Sequence, residues 1–112
     1  MYTLIMYTYI SQKKESFVIL SFACVDTRTC FESEKVGRKA GWASLVRIAR
    51  RKLQIIHAAK NLGDLKIPPN NRLHQLFREY EGYHAISIND QWRIVFKFKD
   101  GNAYDVHITD YH

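Results

Sequence analysis

Two hydrophobic rhythms divide the chain. Over residues 42–61 the apolar positions Trp42, Leu45, Val46, Ala49, Leu53 and Ile56 recur in steps of three and four. That spacing predicts one face of an amphipathic helix. Arg47, Arg50, Arg51 and Gln54 fall between them, so the helix is expected to present guanidinium groups outward. From Arg72 the period drops to two. His84, Ile86 and Ile88 alternate with Ala85, Ser87 and Asn89; Trp92, Ile94, Phe96 and Phe98 alternate with Arg93, Val95, Lys97 and Lys99. Tyr104, Val106 and Ile108 alternate in turn with Asp105, His107 and Thr109. Asn89-Asp90 suits a turn, and Asp100-Gly101 is a strong hairpin signal. The three runs predict an antiparallel meander, with a further short strand expected over 72–76.

Upstream, residues 17–22 (FVILSF) have the character of a buried strand, and Asp26 that of the N-cap of a short helix through Cys30, Phe31 and Glu32. Gly37 and Gly41 punctuate the chain, and residues 61–71, with Gly63, Pro68 and Pro69, form a connection. Helices first and sheet last predict an α+β fold, two N-terminal helices packed on one face of a small, mainly antiparallel sheet. The other face is expected to carry Arg93, Lys97, Asp105 and His107. In phase with their neighbours, His84 and Trp92 are expected to pack rather than act, and His57 to be structural.

The chain has 112 residues, 46% of them hydrophobic, which suits one domain with its own core. Lys and Arg outnumber Asp and Glu by 17 to 11. Between Lys35 and Gly63 lie eight basic residues (Lys35, Arg38, Lys39, Arg47, Arg50, Arg51, Lys52, Lys60) and no acidic one. So concentrated a positive charge points to phosphate, above all nucleic acid. Cys24 and Cys30 make neither a disulfide framework nor a zinc motif and are expected to be buried or half-buried thiols. The opening MYTLIMYTYI is too short to span a bilayer, and its lysines follow the apolar run instead of preceding it, unlike a signal peptide. No membrane association and a cytoplasmic location are expected.

No Walker loop, GxGxxG or HExxH motif is present. One chemistry needs only acids, bases and cations: cleavage of RNA through its own 2′-hydroxyl, with a base on the 2′-OH, an acid on the leaving 5′-oxygen and a cation at the phosphate. Against that background three stretches stand out: NRLHQL (71–76), YHAISINDQWRIVFKFKDGNAYDV (83–106) and a final DYH (110–112). With them the chain, from residue 18 to 112, resembles the HigB toxins, the plasmid maintenance killer branch of the RelE/ParE superfamily. The resemblance implies two helices on a small antiparallel sheet and the toxin of a type II toxin–antitoxin pair. Such a toxin cuts mRNA in the ribosomal A site without metal or other cofactor. It is neutralised by a helix-turn-helix antitoxin, through which alone it meets DNA.

By the same resemblance the catalytic set is His74, Arg93, Asp110, Tyr111 and His112. His74 and His112 would move protons and Arg93 would stabilise the phosphate. Tyr111 would stack the base or orient the 2′-OH, and Asp110 would hold or polarise a neighbouring group. Arg47, Arg50, Arg51, Lys52 and Lys97 are expected to hold RNA or the ribosome. A surface ion pair with Asp105 is the structural alternative for Arg93. The chain departs from the family at Phe77, where a lysine often stands. Val18-Ile19-Leu20-Ser21-Phe22 matches the family's usual start, so residues 1–17 are expected to be an extension from a mis-assigned start. The competing functions are a non-catalytic toxin of the same superfamily and an RNA-binding module using the basic helix.

Overall fold

The computed structural model describes residues 19–37 and 39–110. The predicted extension 1–17, Arg38, Tyr111 and His112 lie outside the described residues. Helix α1 is Val25–Ser33 and α2 is Val46–Ala58, the latter entered through a 3-10 turn at Ala43–Leu45. Four strands follow: β1 His74–Gln75, β2 His84–Ser87, β3 Arg93–Lys99 and β4 Asn102–Thr109. They pair in the order β1-β2-β3-β4, each antiparallel to the next. This is the expected α+β arrangement.

The inner face of the sheet meets the helices. Leu53 and Ile56 of α2 pack with Ile86, Ile94, Phe96 and Val106, all fully buried. Removing such side chains from water contributes roughly 1.5–3 kcal/mol apiece. Trp92 joins this core from its margin. Its ring lies over Gly41, where an added Cβ would come within 2.7 Å of the indole. A side chain at that position would force the indole to shift.

Four local expectations are corrected. The cap of α1 is Cys24, not Asp26; Asp26 lies in the first turn, where a carboxylate favours the helix N-terminus. The amphipathic run beginning at Trp42 is helical only from Val46, after the 3-10 turn, and ends at Ala58. Residues 19–22 do not form a sheet strand. They lie alongside β4 with two isolated parallel bridges, Ile19 to Ala103 and Phe22 to Val106, and Leu20 is 52% exposed. Their role is to satisfy the edge of β4. The Leu20 amide donates to Ala103 (2.8 Å), Val106 donates to the Ser21 carbonyl (3.1 Å) and Ala23 donates to Val106 (2.9 Å). The Ser21 hydroxyl accepts from the Asp105 amide at 2.8 Å, and the buried Thr27 hydroxyl accepts from the Ile108 amide at 3.0 Å. An edge so covered is protected from adding a foreign strand.

The fourth correction is the phase of β4. Its pairing with β3 shifts by one residue between Val95 and Lys97: Val95 faces His107, but Lys97 faces Tyr104. The extra residue is a β-bulge, with Asp105 in the left-handed region (φ 52°), which Asp tolerates better than most residues. Ala103, Val106 and Ile108 therefore point into the core, and Tyr104 joins the outer face. Simple alternation had placed Tyr104 with Val106 and Ile108.

Candidate functional site

The outer face is a grid of three cross-strand rows. Ser87, Arg93 and Thr109 form the first. His74, Ala85, Val95 and His107 form the second. Leu76, Tyr83, Lys97 and Tyr104 form the third, closed by a bond from the Leu76 amide to the Tyr83 carbonyl (2.9 Å). The floor is a small second core of Leu76, Ala85 and Val95, flanked by Tyr80 and Tyr83.

His74 is exposed on β1, and its Nδ1 lies 2.8 Å from the Arg72 carbonyl. A carbonyl only accepts, so Nδ1 carries the proton and Nε2 is the basic nitrogen. Arg72 can offer that carbonyl because its backbone turns left-handed (φ 49°) after the short turn Pro69–Asn71. That turn is anchored by Asn71, which is fully buried. The Asn71 amide donates to the carbonyls of Leu65 (3.1 Å) and Ile67 (3.2 Å), and its oxygen accepts from Lys52 Nζ of α2. Asn71 thus positions the catalytic candidate three residues later.

Arg93 lies in the first row, about 10 Å across from β1, two strand spacings. Its guanidinium folds toward the β2–β3 turn and donates to the carbonyls of Asn89 (2.6 Å) and Trp92 (3.3 Å). The Asn89 side chain holds that turn by accepting from the amides of Gln91 (2.9 Å) and Trp92 (2.7 Å). Asp110 reaches the same turn, accepting from Gln91 Nε2 at 2.9 Å. The structure thus brings Arg93 and Asp110 to one end of the face and His74 to its middle row. Asp105 pairs with Lys97 (3.8 Å), not with Arg93 as the structural alternative required.

The basic set divides. Lys97 shares the outer face. Arg47 and Arg51 are exposed on α2, and Arg47 approaches Glu34 at 3.7 Å. Arg50 donates to the Phe31 carbonyl (3.0 Å) and to Glu34 (3.4 Å), tying α2 to α1. The helix packs on the inner face of the sheet, so these arginines lie on the opposite side of the molecule from His74 and Arg93. Lys52 is corrected: it is 8% exposed and committed to Asn71, with Asn70 at 3.4 Å. Burial, and then the neighbouring Arg51 charge, lower its pKa.

Two histidines serve the fold. His57 accepts from the Ile19 amide (3.3 Å) and packs edge-on to Phe31; burial pushes its pKa down. His84 stacks on Phe96 on the inner face; burial, then the nearby His74, lower its pKa. Of the thiols, Cys24 is exposed, contrary to expectation, while Cys30 is buried and raised to about 11 by that burial. Among the described residues no group of three or more His, Cys, Asp or Glu side chains is placed to hold a metal, and no helix is long and apolar enough to cross a membrane.

Four residues of this region escaped the sequence reading. Asn71 was visible only as part of NRLH. Tyr83 has the parity of Ala85, so its face was legible. Tyr80 stands in the β1–β2 connection, in a 3-10 turn that periodicity does not reveal. His107 was expected on the outer face, where it lies, but its packing against both tyrosines was not foreseen.

A family model described as the RelE-like toxin of the type II toxin–antitoxin system HigB matches residues 21–112. Toxin HigB-1 of Vibrio cholerae is 40% identical over 58 residues, 52% of this chain and 61% of that protein. Endoribonuclease HigB of Proteus vulgaris is 39% identical over 61 residues, 54% of this chain and 65% of that protein. The matched stretch spans under two thirds of either relative's length. On the family match, which covers most of the sequence and the whole of the sheet just described, the chain belongs to the HigB-like family of RelE-like toxins.

Proposed function

We propose that this chain is the toxin of a type II toxin–antitoxin pair and cuts mRNA on the ribosome by attack of the 2′-hydroxyl. The 2′-oxygen bonds to phosphorus while the bond to the 5′-oxygen breaks. His74, with Nε2 as its basic nitrogen, and His112 take up and deliver the two protons. Arg93 swings from the turn carbonyls to the phosphate, where a planar, permanent cation matches the developing charge. Asp110 holds the 89–92 turn and so the position of Arg93, and Tyr111 stacks on or orients the nucleotide. No metal enters these steps.

The observation that carries this reading is the shared face. His74 on β1, its tautomer fixed by the Arg72 carbonyl, and Arg93 on β3 stand on one face of the sheet, and Arg93 pairs with Thr109 at the end of β4, the strand that runs toward residues 110–112. The arginines of α2, on the far side, suit contacts with ribosomal RNA. The partner expected in the cytoplasm is a helix-turn-helix antitoxin that also carries the pair to DNA.

The test is controlled expression of the chain and of its His74→Ala and Arg93→Ala variants, with mRNA 5′ ends mapped. New ends at translated codons with the wild type, lost in both variants, are expected. Growth arrest without new ends would overturn the nuclease reading.

A further inference from the structure

At the end of the outer face away from Arg93 and Asp110, Tyr80, Tyr83 and His107 converge. The two phenol rings meet edge to face at 5.8 Å. The imidazole lies 6.3 Å from each, stacked on Tyr80 and edge-on to Tyr83. Lys97 Nζ stands 5.0 Å from the centre of the Tyr83 ring, and His107 is fixed by its Nδ1 contact with the Asp105 carbonyl at 2.9 Å. All three rings are half-buried on the apolar floor of Leu76, Ala85 and Val95. None of the steps proposed above uses them.

We infer that Tyr80, Tyr83 and His107, with Lys97, form a stacking site for a base of single-stranded RNA flanking the bond that is cut. Half-exposed aromatic rings beside a cation match a nucleotide, with a π-face for the base and an ammonium for its phosphate. Lys97 is four residues along β3 from Arg93, about 13 Å. The platform therefore meets a neighbouring nucleotide, not the one whose phosphate Arg93 holds. It gives the enzyme purchase on the strand beyond the reacting group, and hence a preference for what flanks the cut.

This inference rests on the nuclease reading for the direction of the strand, but its test stands apart. The probe is a short single-stranded RNA, 2′-O-methylated to block cleavage, with 2-aminopurine placed at successive positions. Binding of the wild-type chain is expected to quench fluorescence at one position. Tyr83→Leu is expected to abolish the quench and weaken binding about 10-fold, the usual scale for one stacked base. Tyr83→Phe, which keeps the ring, should retain both, and an unchanged circular-dichroism spectrum of Tyr83→Leu excludes misfolding as the cause. Equal quenching in wild type and Tyr83→Leu, or none at any position, overturns the inference. Should mRNA cuts be absent in cells while quenching follows the ring, the stacking site stands and the nuclease reading falls.

Discussion

Lys52 of α2 donates to the side-chain oxygen of Asn71, so the helix layer grips the loop that delivers His74 to the sheet. Asn71 is fully buried and Lys52 nearly so. The contact joins a buried cation to a buried amide whose other side is spent on two carbonyls. Asn71→Ala is expected to lose about 2–4 kcal/mol of stability, because it strips two carbonyls of their donor and leaves the ammonium only the longer contact with Asn70 at 3.4 Å. Lys52→Met should lose less, since the amide keeps its two donations. Urea unfolding of both variants checks the order; a smaller loss for Asn71→Ala would reverse the assignment of roles.

Thr27 gives a cleaner measurement of the covered edge. Thr27→Val keeps the shape but removes the acceptor of the Ile108 amide. A cost of about 1–3 kcal/mol is expected for the orphaned donor. Amide exchange at Ile108 should accelerate in this variant, and unchanged exchange would show that another acceptor serves.

His57 ties stability to pH. It must be unprotonated to accept from Ile19, and its folded pKa lies below the usual histidine value. The unfolded chain therefore binds this proton more readily. The contribution is complete above about pH 6.5, the unfolded value, and is lost as pH falls toward the folded pKa. His84 acts in the same direction. Thermal unfolding from pH 7.5 to 5 is expected to show a falling midpoint, with a shallower slope in His57→Gln; identical slopes would remove His57 from the account.

For the chemistry, His74→Ala is expected to lower cutting by about 100-fold or more, the range of a positioned acid or base. Its unfolding midpoint should change little, because the side chain is exposed. Arg93→Lys keeps the charge but not the planar fork and is expected to lose at least about 10-fold. Cleavage assays on translating ribosomes, read beside melting curves, separate these losses from damage to the fold.

The layers, the meander and the helix were legible because period and composition reported them directly. The positions of Trp92, Ile94 and Phe96 followed from parity alone. What stayed hidden depended on single backbone events. The bulge at Asp105 inverts parity within β4, and no residue pattern announces it, since Asp in a strand usually signals only exposure. The fate of Lys52 was hidden for a different reason: it lies among exposed arginines in the chain, and only the distant Asn71 makes its burial tolerable. His74 and Arg93 came from motif likeness rather than rhythm. The tautomer of His74 required the left-handed turn at Arg72.

The bulge divides β4 into two half-strands that keep opposite time. Behind it, Ala103 faces the core and Tyr104 the grid; ahead of it, His107 and Thr109 take the grid side. Deleting the one residue at 105 would drive Tyr104 inward against the floor of α2 or drag His107, Thr109 and Asp110 out of register with β3. A single codon thus joins the half-strand that sets Tyr104 beside Lys97 to the half-strand that sets His107 and Thr109 beside Val95 and Arg93. Substitutions at either end can change its side chains freely, but a change in length anywhere between Ala103 and Val106 alters both at once.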